Sequence, residues 1–185
     1  PLTIDGRTLD ARGQFLAAQG AKAPSITTLE PSAARAATAQ GLKLLDGPRS
    51  AQVVVENIAV PGPSGALDAR LYTPRNAGGP LPGLVFYHFG GCVIGDLDTC
   101  DTFCSMLAEI GECVVLSIDY RLAPEHKFPA AVDDALAAYR YARDNAEKLG
   151  MTRRIAVGGD SAGGYLSAVV AQETKSIDKI EEMLT

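Results

Sequence analysis

The spacing of apolar residues changes character along the chain. Residues 9–19 and 31–45 read as two helices, the second opened by Pro31 and closed between Gly41 and Gly47. Strand signals begin after them. Val53–Val60 and Leu67–Thr73 flank the turn Pro61-Gly62-Pro63-Ser64-Gly65, which predicts an antiparallel hairpin. Leu84–Tyr87, Cys113–Asp119 and Arg154–Gly158 are short apolar runs, as expected of strands buried on both faces. Helices fall between and after them: 99–110, closed by Gly111; a long one opened by Pro129, with the stripe Val132, Leu136, Tyr139, Leu149 and closed by Gly150; and Ala162–Ala171. Buried strands alternating with helices predict an α/β fold with a largely parallel sheet.

Composition narrows the classes. The 185 residues suffice for one domain with a sizeable core, and 46% hydrophobic with 21% charged residues is ordinary for a globular protein. A net charge of −5, with its basic residues scattered, argues against nucleic acid as a partner. No apolar run approaches the ~20 residues of a membrane span. Pro1–Asp10 lacks the basic-then-apolar order of a secretory leader. The four cysteines, at 92, 100, 104 and 113, crowd into one segment rather than spreading as a disulfide framework would. A cytoplasmic, reducing location with thiols free or metal-bound is the expectation.

The chemistry concentrates at Gly158-Gly159-Asp160-Ser161-Ala162-Gly163-Gly164. G-x-S-x-G alone is a weak signal, since a glycine-rich helix start that merely packs gives the same letters. Between a buried strand and a helix it becomes strong. A sharp strand-to-helix turn strains the serine and exposes its hydroxyl, and the small neighbours Gly159 and Gly163 avoid clashes.

Three segments carry a family resemblance: His88-Phe89-Gly90-Gly91 followed by Ile94-Gly95-Asp96-Leu97-Asp98; Asp119-Tyr120-Arg121-Leu122-Ala123-Pro124-Glu125; and Gly159 to Gly164. In order and spacing the chain resembles the hormone-sensitive-lipase-like esterases of the α/β-hydrolase superfamily, from its N-terminal helices to about Gln172. The resemblance implies that Ser161 is the acyl-accepting nucleophile. It implies an oxyanion hole from the backbone N–H groups of Gly90, Gly91 and Ala162, and N-terminal helices (1–48) that form part of a cap over an acyl pocket. It also implies a small-molecule ester as substrate. Asp119–Glu125 reads as an internal ion-pair and turn network.

The sequence also departs from that pattern. In this fold the triad runs Ser, then Asp or Glu, then His. The 24 residues after Ser161 contain no histidine, and His88 and His126 do not match the catalytic position. The expectation is a hydrolase derived from a carboxylesterase, its core (49–175) truncated after the elbow and its triad incomplete. A serine without a base is a poor nucleophile. Residues 176–185 do not resemble the family, but they form a competent helix with Ile177, Ile180 and Leu184 on one stripe. Truncation would leave Arg154–Gly158 as a sheet edge, so a homodimer through that edge or the C-terminal helix is expected.

Phe89 stands where the family has glycine, and Cys92 and Cys100 stand where aromatic and histidine residues are common. With Cys104, one helical turn from Cys100, and with His88, they form a His/Cys cluster near the elbow; Asp96, Asp98 and Asp101 add oxygen donors. Two readings stay open. One is a zinc or other divalent site that activates water for ester or phosphotriester hydrolysis. The other is a set of buried small side chains beside a solvated acidic turn. A non-catalytic dimeric remnant is the third functional reading.

Overall fold

The structure is a computed structural model that describes residues 3–22 and 25–184. A two-residue-per-strand ribbon (β1, Thr3–Ile4; β2, Arg7–Thr8) precedes α1 (Ala11–Gly20), which Asp10 caps by accepting from the Arg12 and Gly13 amides. α2 (Pro31–Lys43) has its proline in the first turn, where a missing amide hydrogen costs nothing. The core elements follow as β3 (Val53–Gly62), β4 (Gly65–Pro74), β5 (Leu81–Tyr87), α3 (Asp101–Ile110), β6 (Val114–Ile118), α4 (Ala130–Asp144), β7 (Met151–Gly159) and α5 (Ala162–Leu184).

The strand order is β3-β4-β6-β5-β7. β3 and β4 form the expected hairpin, with a two-residue turn at Pro63-Ser64 between the paired Gly62 and Gly65. β4 runs antiparallel to β6, while β6, β5 and β7 are parallel. From β5 the chain first moves to one side, through α3 to β6. It then crosses back through α4 to β7 on the other side. The ends of β5 and β7 therefore flank a topological switch point, where open α/β sheets bind ligands.

The sheet is packed on both faces. One face carries Val60, Leu71, Val85, Tyr87, Leu116 and Ile118 against α4 and the Leu166–Val170 face of α5. The other carries Val53, Tyr72, Phe86 and Val115 against Cys100, Cys104 and Ala108 beside and along α3. Arg70 and Tyr72 both bond Asp101 at 2.8 Å, which ties the hairpin to the N-terminus of α3.

Two expectations need correction. The buried face of α4 is Ala131, Asp134, Ala135, Ala138 and Ala142, not the stripe of larger residues. Small side chains let the helix approach the sheet closely, and Val132, Leu136 and Tyr139 flank it, partly buried. Leu149 is buried but lies beyond the helix. β7 is not buried on both faces: Arg153, Arg154 and Ala156 are exposed, because β7 is the sheet's edge. α5 runs without a break to Leu184, through the segment expected to form a helical tail. The side chains of 176–184, and with them the Ile177–Ile180–Leu184 stripe, lie outside the described residues.

Candidate active site

Two backbone turns meet at the switch point. Tyr87 and Gly159 are register partners, so β5 and β7 end at the same level. β7 turns into α5 through Asp160 and Ser161. Ser161 is exposed and holds φ +52°, a left-handed conformation that costs a non-glycine residue about 1–3 kcal/mol. The Gly163 amide bonds Asp160 O at 2.8 Å and the Tyr165 amide bonds Ser161 O at 3.1 Å, which closes the turn onto the helix. The tight packing explains the glycines. A Cβ on Gly163 would strike the Tyr87 carbonyl and lie 3.0 Å from His88 O; one on Gly159 would strike the Tyr87 carbonyl and lie 2.6 Å from Gly163 C. Sequence spacing predicted this elbow, and the structure supplies it.

β5 turns into the loop His88–Gly95. Gly90, Gly91 and Cys92 hold φ of +118°, +62° and +59°. Gly90 O accepts from the Val93 and Ile94 amides, so the loop curls tightly, and a Cβ on Gly90 would strike Ile94. The amides of Gly90, Gly91 and Ala162 have no partner among the described residues. Unpaired backbone donors of this kind can hydrogen-bond an anionic oxygen.

His88 holds the base of this loop and is not poised as a catalytic base. It is fully buried and stacks on Tyr120 at 4.2 Å between ring centroids. Nδ1 lies 2.7 Å from Phe89 O, which assigns it the proton. Burial lowers its pKa, so the ring is neutral. Nε2 has no hydrogen bond and lies 4.0 Å from Asp119 Oδ1. The Tyr120 hydroxyl donates to His88 O at 2.7 Å. No described side chain hydrogen-bonds the Ser161 hydroxyl, and His126 is exposed on the segment before α4.

The proposed metal set is not assembled. Cys92 packs with the α4/α5 face of the sheet, whereas Cys100 and Cys104 pack with the α3 face. All four cysteines are free, and burial pushes Cys100 up to about 12, which keeps it protonated and a poor ligand. The nearby carboxylates are otherwise engaged: Asp101 by Arg49, Arg70 and Tyr72, Asp98 by Arg70, and Asp96 by the Thr99 amide. Among the described residues no group of three or more His, Cys, Asp or Glu side chains could hold a metal ion.

The sequence reading missed several supports. Arg121 clamps fully buried Asp134 through its Nε, Nη2 and backbone amide. Arg35 on α2 clamps Glu125. Both arginines join the segment expected to form an ion-pair network, but their partners are remote in sequence and carry no local signal. A cavity of about 270 Å³ is lined by Asp68, Arg70, Asp96, Asp98 and Asp119 among others. Burial, reinforced by Asp96, Asp68 and Asp98 and opposed by Arg70, raises the Asp119 carboxyl to about 6. Ser161 does not line this cavity.

A switch-point sheet, a strained serine between strand and helix, and an adjoining glycine loop with unpartnered amides define an α/β-hydrolase core. The chain belongs to that family: the model for the alpha/beta hydrolase fold matches residues 84–183. Carboxylic ester hydrolase LipN of Mycobacterium tuberculosis is 45% identical over 175 residues, covering 91% of this chain and 46% of LipN. The ethyl acetate hydrolase of Pseudomonas putida is 44% identical over 110 residues, covering 58% of this chain and 35% of that protein. Among solved structures, an esterase of Pyrobaculum calidifontis superposes with a TM-score of 0.81 at 40% identity, over 92% of this chain and 54% of that one. An ester hydrolase from the Lake Arreo metagenome, complexed with a bipyridine phosphonate derivative, gives 0.82 at 42% identity, over 89% of this chain and 53% of that one. The chain therefore spans about half the length of these ester-hydrolysing relatives. Among the described residues no helix is long and apolar enough to cross a membrane.

Proposed function

We propose that Ser161 is the acyl-accepting nucleophile of a carboxylesterase-type hydrolase for activated or short-chain esters. The observation that carries this reading is the strained, exposed Ser161 at the switch point where the loop with the unpartnered Gly90 and Gly91 amides also begins, the Ala162 amide being unpartnered as well. Similarity to proteins named carboxylic ester hydrolase and ethyl acetate hydrolase supports the substrate class. Attack by Ser161 Oγ on the ester carbonyl forms a tetrahedral oxyanion, whose charge the three amides accept; each such donor is worth about 3 kcal/mol. Collapse expels the alcohol and leaves an acyl-serine for water to cleave.

Among the described residues Ser161 has no hydrogen-bonded base. Hydrolysis by this chain alone then rests on the elbow and the oxyanion hole, several orders of magnitude below a complete triad. The measurement is p-nitrophenyl acetate hydrolysis by the parent, by Ser161→Ala and by the parent with chelator. Slow turnover that Ser161→Ala abolishes and chelator leaves intact agrees with the proposal. Chelator-sensitive turnover that survives Ser161→Ala refutes it.

The unpaired outer edge of β7 supports a second proposal, that two copies of this chain associate through β7 or α5. Light scattering at micromolar concentration then gives a dimer mass, and a monomer mass would oppose it.

A further inference from the structure

We propose that Arg35 is a positioning residue for the oxyanion loop, acting from α2 through the Val93 carbonyl. The inference rests on the reading of Gly90 and Gly91 as oxyanion donors, but its test does not depend on chemistry at Ser161.

The loop needs an external restraint. Three successive residues, Gly90, Gly91 and Cys92, have positive φ, and Cys92 has a side chain that disfavours it. A strained conformation of this kind persists only where its surroundings over-determine it. On the inner side Gly90 O is held by the Val93 and Ile94 amides. On the outer side the restraints come from elsewhere in the chain. The Ala123 amide donates to Cys92 O at 2.8 Å. Arg35 Nε donates to Val93 O at 2.8 Å, and its Nη2 donates to Ala123 O at 2.9 Å. One guanidinium thus binds both the loop exit and the segment that holds Cys92.

Glu125 fixes that guanidinium. Its carboxylate accepts from Nη1 at 2.9 Å and from Nη2 at 2.7 Å. Hydrogen bonding to Arg35 draws the Glu125 carboxyl down to about 2, so it stays ionised throughout the neutral range. The bidentate pair sets the plane of the fork, which aims Nε at Val93. A lysine ammonium is a single point donor and cannot reach Val93 O, Ala123 O and Glu125 together. The loop direction, and with it the aim of the Gly90 and Gly91 N–H groups, is therefore coupled to the seating of α2.

Amide NMR of the full 185-residue chain tests this with Arg35→Ala, Arg35→Lys and Glu125→Gln. Arg35→Ala should shift the Gly90 and Gly91 amide resonances and speed hydrogen exchange of the Val93 and Ile94 amides, which are bonded to Gly90 O, at least about tenfold, while β5 and β6 amides stay in place. Arg35→Lys, which keeps the charge and the fold, should shift the same two resonances. Glu125→Gln, which keeps one acceptor for the fork but loses the bidentate pair, should shift them in the same direction by less than Arg35→Ala does. The same shifts should appear in a Ser161→Ala background, so an inert Ser161 would not mask them. The proposal is overturned if only α2 resonances move in the Arg35 variants, or if Glu125→Gln moves Gly90 and Gly91 as far as Arg35→Ala does.

Discussion

Tyr87 and Gly159 sit opposite each other as the last paired residues of two parallel strands. From this one level the chain departs twice, into the His88–Gly95 loop after Tyr87 and into the serine elbow after Gly159. The two halves of the site are thus aligned by sheet register, and only backbone hydrogen bonds and missing side chains separate them. The central physical claim is that the register and the glycines build the site before any catalytic side chain contributes.

Gly163→Ala tests that claim sterically. Its Cβ would collide with the Tyr87 carbonyl, which is backbone inside the sheet and cannot swing away. Overpacking against a rigid partner costs about 1–3 kcal/mol or more. Urea unfolding should show that loss, together with a loss of Ser161 reactivity. A fully stable, reactive Gly163→Ala protein would mean that the elbow is not held against Tyr87.

Ser161 should carry strain that its chemistry does not need for folding. With φ at +52°, Ala at this position keeps the left-handed penalty of about 1–2 kcal/mol, and Gly removes it at an entropic cost of about 0.5–1 kcal/mol. Ser161→Gly should therefore be more stable than Ser161→Ala by up to about 1 kcal/mol, with both inactive. Equal melting curves would place Ser161 in ordinary backbone.

Asp119 makes a pH-dependent prediction. Its folded carboxyl titrates near 6, above the ordinary value near 4, because of burial and its acidic neighbours. Between those values the folded protein holds the proton more tightly than the unfolded chain. The contribution is therefore complete below about 4 and is lost as pH rises through about 6. The side chain is 38% exposed, so screening reduces the effect to the order of 1 kcal/mol. Asp119→Asn should be more stable than the parent by that amount at pH 7.5, and its stability should be flatter between pH 4 and 7. A parent and variant with the same slope would contradict the assignment.

The sequence made some of this legible and hid the rest for physical reasons. The elbow and loop were readable because left-handed backbone and close approach demand glycine, and glycines at 90, 91, 159 and 163 punctuate the sequence wherever they occur. The face of α4 was misread because large residues dominate a periodicity, while close packing there uses Ala131, Ala135, Ala138 and Ala142. The His/Cys cluster was misread because proximity along the chain does not set packing: Cys92 joins the cluster under α4 and α5, and Cys100 and Cys104 join the one under α3. Arg35 was silent because its partners Val93, Ala123 and Glu125 are 58, 88 and 90 residues away.

The most direct measurement is mass spectrometry of the intact chain after incubation with an aryl phosphonate ester, followed by peptide mapping. Slow, stoichiometric phosphonylation of Ser161 that is absent from Ser161→Ala and weakened by Gly163→Ala is the predicted result. No adduct on Ser161, or the same adduct level in Ser161→Ala, would contradict the account.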